Sequence, residues 1–371
     1  MKIAQLVSNL YSIPPRSLRA IYHLAGLLTD GLVEGRHDVT LFNVKNAQTL
    51  AKLDYVTDIA VSKMPGLSEL AKRRYMQLLA SKCYQRASEF DIIHSHFNLV
   101  GCYYAPLVKT PSVHTIHSPI APDMMPIMEN VARNNFISIS LNQRKQMPKL
   151  NWIANIYHGV DTNHYTFNPN PEDYLLFLGR VTGQKGVHFA IEAAKATNSK
   201  LIISGKSYVS EDYWHKEVEP HIDGVNIRYV GESDHNKKIE YLRNAKALLF
   251  PTHEQDPFGL VTIEAMACGT PVIGFDVAAV PEIVQDKKTG YLVKDVAGMV
   301  KAINKIDKIQ RTACRERVEK FFSIEKMVDG YERVYERVIE DAKRANRKKK
   351  NARAESNRIK KFLKEKILRA K

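Results

Sequence analysis

The chain has 371 residues, 44% of them hydrophobic, which is too long for one ordinary core and enough for two. Its net charge is +15, but residues 342–371 hold fourteen of the 55 Lys and Arg and only two of the 40 acids. Twelve of the fifteen charges therefore belong to the tail, and the high isoelectric point says nothing about a site in the body.

Cys83, Cys102, Cys268 and Cys314 form no CxxC pair, which argues against a disulfide framework or a zinc site and fits a reducing cytoplasm. The chain opens on an apolar run rather than an export signal. No stretch approaches the roughly 18 apolar residues of a membrane span. The expected location is cytoplasmic.

Short apolar runs alternate with helical patterns. The first half has runs at residues 3–7, 39–42, 91–94, 112–116 and 136–139, with a helical stripe of Leu18, Ala25, Leu28 and Leu32 between the first two. Strand, helix, strand in this order implies right-handed crossovers and a parallel sheet. Residues 166–171, with Pro169 and Pro171, read as a linker. The pattern then restarts, with strands at 174–179, 200–204, 226–230, 247–251 and 271–275. Val187, Ala190, Ile191 and Ala194 form a helical stripe after the first of these. Met327, Tyr331, Val334, Tyr335 and Val338 mark a long final helix. The expected fold class is α/β, with two doubly wound domains, residues 1–165 and 172–325. A helix at 326–341 and a basic tail at 342–371 follow. Ligands of such sheets bind beyond the carboxyl ends of the strands.

Two segments carry chemistry at such positions. Gly179-Arg180-Val181-Thr182-Gly183-Gln184-Lys185-Gly186 follows a strand and opens a helix. Glycines for close backbone approach, a planar guanidinium and an ammonium suit a diphosphate, although a solvated loop with incidental charge has the same composition. Asp256-Pro257-Phe258-Gly259-Leu260-Val261-Thr262-Ile263-Glu264 leads into Ala265-Met266-Ala267-Cys268-Gly269-Thr270-Pro271. A helix is expected to begin near Gly259 or Leu260 and stop at Gly269, with its N-terminal N–H groups facing an anion. Glu264, on an otherwise apolar helix, needs a partner: a ribose diol, solvent or an internal Arg.

These segments resemble family 4 of the retaining glycosyltransferases, which have the GT-B fold. The resemblance rests on Gly179-Arg180…Lys185-Gly186 and on Glu264 through Ile273. It extends to Asp91-Ile92-Ile93-His94-Ser95-His96, Ile156-Tyr157-His158-Gly159-Val160-Asp161 and Val280-Pro281-Glu282-Ile283-Val284, in order, over about residues 1–340. It implies that Arg180 and Lys185 grip a donor diphosphate and that Glu264 holds the ribose. By the same resemblance, backbone groups around Phe258, Gly259 and Leu260 contact sugar and phosphate, and His96 lies near the transferred sugar. His94 reads as buried structure, and His117, at the end of the next strand, competes with His96. The first acid of the family's Glu-x7-Glu pair is Asp256 here, with Glu254 two residues upstream, so either reaches the sugar. A Gly-Gly pair usual after the first strand is replaced by Pro14-Pro15-Arg16-Ser17-Leu18-Arg19, which suggests an acceptor contact through Arg16 or Arg19.

The resemblance implies transfer of a hexose-type sugar from a UDP- or GDP-sugar, with retention, to an unknown acceptor such as a lipid or cell-envelope glycan. The final helix is expected to return to the N-terminal domain. No Asp-x-Asp motif is present to hold a divalent ion, so neither metal nor cofactor is expected. A nucleotide-sugar epimerase of the same fold, or a non-catalytic nucleotide-sugar or nucleic-acid-binding protein, is the alternative. In the tail, Ile359, Phe362, Leu363 and Ile367 fall on one helical face among lysines, a pattern suited to peripheral contact with an anionic membrane. A solvated tail is the plainer reading, and no aromatic interleaving supports specific nucleic-acid binding.

Overall fold

A computed structural model describes residues 1–15, 20–97, 99–207, 212–253 and 256–369; past residue 357 the only side chain described is that of Lys360. The apolar runs form two wholly parallel sheets. The first contains β1 (Lys2–Leu6), β2 (Asp38–Asn43), β3 (Lys52–Tyr55), β4 (Ile92–Ser95), β5 (Ser112–Thr115), β6 (Asn135–Ser138) and β7 (Trp152–Asn155), in the order β3-β2-β1-β4-β5-β6-β7. The second contains β8 (Leu175–Leu178), β9 (Leu201–Ser204), β10 (Ile227–Tyr229), β11 (Ala247–Phe250), β12 (Val272–Phe275) and β13 (Gly290–Val293), in the order β10-β9-β8-β11-β12-β13. The expected fold class, two doubly wound α/β domains, is the one observed. Strand order reverses between β1 and β4 and again between β8 and β11, and such reversals open crevices at the strand ends.

The longer helices of the first half are α1 (Ala20–Glu34), α2 (Glu69–Gln85), α3 (Val100–Tyr104), α4 (Met125–Asn130) and α5 (Leu141–Gln146). Those of the second are α6 (Val187–Ala196), α7 (His235–Asn244), α8 (Leu260–Ala267), α9 (Val280–Ile283), α10 (Val296–Ile303) and α11 (Arg311–Phe321), followed by α12 (Ile324–Arg369). Successive strand residues point to opposite faces. Ile3 and Ile92 accordingly pack with Leu24, Leu28 and Leu32 of α1, whereas Ala4 and Ile93 pack with Leu79, Ala80 and Cys83 of α2. Met327, Tyr331, Val334, Tyr335 and Val338 of α12 join the first of these cores. Each such buried side chain contributes about 1.5–3 kcal/mol. The last helix thus completes the core of the first domain.

The chain crosses between the domains twice, and the crossings are bonded to each other. Val160 N donates to Phe322 O at 2.9 Å, and Ile324 N donates to Val160 O at 3.2 Å. Gly159 lies so close that a Cβ there would stand 2.5 Å from Ser323 O and 2.9 Å from Ile324 Cα. Both obstacles are backbone and cannot swing aside. Gly159→Ala is therefore expected to destabilise the protein by about 3 kcal/mol, read as a lower melting temperature. An unchanged melt would show that the crossings can separate freely.

Candidate active site

Two loops from neighbouring strands meet at the β8/β11 reversal. The loop after β8 carries Arg180 and Lys185 and ends at Gly186, whose φ of +71° caps α6; a Cβ there would lie 2.3 Å from Pro251 O in the other loop. Gly259, at φ +82°, caps α8 in the same left-handed conformation, with no side chain bonded to the helix start. Among the described residues no side chain caps the N-terminus of α8, and a helix end of this kind favours an anion. Lys185 is ion-paired with Asp256, whose other oxygen accepts from Phe258 N at 3.1 Å. Arg180 is exposed and has no partner among the described residues.

Glu264 lies inside α8, 4% exposed. One carboxylate oxygen accepts from Lys238 Nζ at 2.7 Å and from Tyr165 OH at 2.8 Å; the other makes no hydrogen bond among the described residues. The sequence left open a ribose diol, solvent or an internal Arg; the partner found is a cation, but it is Lys238 rather than an arginine. Lys238 and Tyr165 were not singled out by sequence reasoning. The phase of α7 carries the signal for the lysine, because Lys238 is one turn from Leu242 and both are buried. Breaking one side of a buried ion pair costs about 3–5 kcal/mol, so this pair is a structural element as well as a neighbour of the site. Around it the domains touch: the ring of His23 on α1 is 5.9 Å from that of His235 on α7, which stacks on His164 at 4.7 Å.

The first domain presents histidines at the β1/β4 reversal. His94 and His96 lie at the end of β4, His117 after β5, and His158 in the first crossing. His96 uses both ring nitrogens within the protein, Nε2 with Gln5 Oε1 and Nδ1 with His117 Nε2, each at 2.9 Å. His94 is likewise tied to Tyr335 OH at 2.6 Å and Thr115 Oγ1 at 2.8 Å. His117 Nδ1 is buried without a partner among the described residues. Its ring stacks on His158 at 5.3 Å, and His158 meets Phe258 of the second domain edge-on at 4.9 Å. His96 thus has both ring nitrogens engaged, whereas His117 keeps Nδ1 without a partner among the described residues, as His114 does. Arg16, Arg19 and Glu254 lie outside the described residues, as do the side chains of Ile359, Phe362, Leu363 and Ile367.

This arrangement can be set beside known proteins. The family described as Glycosyl transferases group 1 matches residues 164–321, the stretch from the linker through α11. N-acetyl-alpha-D-glucosaminyl L-malate synthase of Bacillus anthracis is 37% identical over 315 residues, covering 72% of this chain and 81% of that protein. The chain belongs to the glycosyl transferases group 1 family. As a member of that family it is a glycosyltransferase, and its fold is GT-B. Sucrose-phosphate synthase of Thermosynechococcus elongatus superposes with a TM-score of 0.75 at 19% identity, over 92% of this chain and all of that one. An Anabaena protein solved with UDP and glucose gives 0.69 at 18% identity, over 90% and 99%. Among the described residues of this glycosyltransferase, no helix is long and apolar enough to cross a membrane.

Burial keeps His94, His96, His114, His117 and His158 uncharged. It lowers His117 to about 4 and His114 to about 3, and takes His94, His96 and His158 well below the ordinary 6.5. The unfolded chain binds these protons from about pH 6.5 downward while the folded chain does not. Stability is therefore complete above about pH 6.5 and is lost as pH falls toward 4, by up to about 1.4 kcal/mol per pH unit for each histidine. A melting temperature that drops steeply between pH 6.5 and 5 is expected. A flat profile over that range would mean that the cluster is open to solvent protons in the folded state.

Proposed function

We propose that the enzyme transfers a hexose-type sugar, with retention of configuration, from a UDP- or GDP-sugar bound at the β8/β11 crevice. The observation that carries this reading is the convergence of Lys185, Asp256 and the uncapped N-terminus of α8 from two loops more than 70 residues apart. The demanding event is departure of a diphosphate while the anomeric carbon becomes cation-like. Positive groups placed where that charge develops are the largest expected catalytic contribution. Lys185, Arg180 and the α8 terminus with Phe258, Gly259 and Leu260 supply them, and Gly179 lets the loop close on the phosphates.

On this reading the donor takes Lys185 from Asp256, and the released carboxylate faces the sugar hydroxyls. The unbonded oxygen of Glu264 accepts from the ribose, while Lys238 and Tyr165 hold the other. His117 takes the sugar-facing role that the motif comparison gives to His96. The Anabaena protein solved with UDP and glucose supports a nucleotide-sugar donor, and the name of the Bacillus anthracis relative adds N-acetylglucosamine to the sugars worth testing. The chemistry is assigned to protein groups without a metal ion or cofactor. The acceptor, a lipid or cell-envelope glycan in our reading, faces the first domain.

A melting screen against UDP, GDP, ADP and their sugar conjugates tests the donor site, because a ligand of the folded state raises the melting temperature. Lys185→Ala is expected to abolish the shift and cut turnover by about 10²–10³ with little change in the unliganded melt. Near-normal turnover would remove Lys185 from the site. Glu264→Ala is a poorer test, since it strands Lys238 as a buried charge.

The side chains of residues 343–357 are all exposed along α12, and seven of these fifteen are basic against one acid, which supports peripheral contact with an anionic membrane. Combined Lys348→Glu, Lys349→Glu and Lys350→Glu substitutions are expected to release the enzyme from phosphatidylglycerol vesicles without lowering its melting temperature. Equal retention by neutral vesicles would overturn that contact.

A further inference from the structure

The buried polar groups of the first domain form a single file with a direction. The amide oxygen of Gln5, fully buried on β1, faces His96 Nε2 at 2.9 Å. An amide oxygen only accepts, so His96 carries its proton on Nε2. Because burial keeps that ring neutral, His96 Nδ1 is bare and must accept from His117 Nε2, 2.9 Å away. His117 is neutral too, which leaves its Nδ1 as a bare acceptor with no partner among the described residues.

The other end of the file is set by α12. The Gln5 amide nitrogen donates to Tyr335 OH at 3.1 Å. Tyr335 is thereby free to donate to His94 Nδ1 at 2.6 Å, and His94 Nε2 donates to Thr115 Oγ1 at 2.8 Å. Turning the Gln5 amide over would reverse every one of these bonds and convert His117 Nδ1 from acceptor to donor.

We propose that Gln5 and Tyr335 are positioning residues that fix the tautomer of His117, so that its bare Nδ1 accepts a hydrogen bond from a substrate hydroxyl at the interdomain face. The proposal rests on the sugar-facing reading of His117. It adds that the last helix of the chain, besides filling a core, sets the polarity of a group some 220 residues earlier in sequence. An acceptor nitrogen selects a ligand O–H and discriminates against a deoxy or fluorinated analogue, neither of which can donate. Wrong-tautomer effects at a working histidine are large.

The test is long-range ¹H–¹⁵N correlation spectroscopy on the full chain labelled with ¹⁵N-histidine at pH 7, with His117 assigned from a His117→Ala sample. A single tautomer of His117 protonated at Nε2 is expected. A single tautomer protonated at Nδ1, or a mixture in the unaltered protein, would overturn the proposal. Tyr335→Phe removes one hydroxyl and leaves the ring in place. It is expected to convert His117 and His96 to a mixture of tautomers and to lower kcat about tenfold with KM for the nucleotide-sugar unchanged. Val338→Ala, in the same core without a polar group, is expected to lower the melting temperature and leave the tautomer alone. If Tyr335→Phe behaves like Val338→Ala, its hydroxyl is structural and the positioning role fails. Wild-type turnover by His117→Ala would instead remove the sugar-facing role and leave the tautomer result standing.

Discussion

The pairing of the two interdomain crossings constrains everything else in the molecule. Val160 bonds to Phe322 and Ile324 in both directions, and Gly159 leaves no room between the strands of chain. Among the described residues, only there is the backbone of one crossing bonded to that of the other, so relative motion of the sheets must turn about it. Farther out the contacts are made by side chains. Glu282 on α9 accepts from Leu141 N and Asn142 N, both at 2.7 Å, at the start of α5, and from Tyr157 OH at 3.0 Å. A carboxylate at a helix N-terminus is favourable but separable, which is the behaviour a closing cleft requires.

The two cation–carboxylate pairs of the second domain differ in a way that fits different duties. Lys185 and Asp256 retain 21% and 14% of their side-chain exposure, so water or a ligand can replace either partner. Lys238 and Glu264 retain 6% each, and separating them strands a charge in a low-dielectric interior. The first pair can exchange partners when an anion arrives. The second holds one face of Glu264 fixed and leaves the other oxygen for a ligand, so its geometry does not depend on what is bound.

Much of the fold was legible because buried parallel strands read as continuous apolar runs. The strands the sequence did not reveal, β3, β7 and β13, are all edge strands. Tyr55, Lys52 and Asp54 of β3, and the half-buried residues of β7, break the run that central strands need. The loops of the second domain were legible because their chemistry is local: glycines, cations and a helix start within a few residues. What stayed hidden is non-local. Nothing near Glu264 in sequence announces Lys238 or Tyr165, and nothing near His96 announces that Gln5 and His117 occupy both its nitrogens. Alternation along β4 places His94 and His96 on one side, but which nitrogen stays free is decided by β1, β5 and α12 together.

The electrostatics of the two crevices are therefore opposite in kind. The second domain offers cations and a helix terminus, suited to the negative charge that grows on a departing diphosphate. The first domain offers histidines stripped of charge by burial. A protonated imidazole at that face would oppose positive charge developing at an anomeric carbon, by several kcal/mol at close range in a partly desolvated cleft. A neutral ring with a bare nitrogen orients a hydroxyl without that repulsion. Burial of the histidine file beneath α12 is what keeps the ring neutral at physiological pH, so the packing of the last helix and the charge state of the cleft have the same cause.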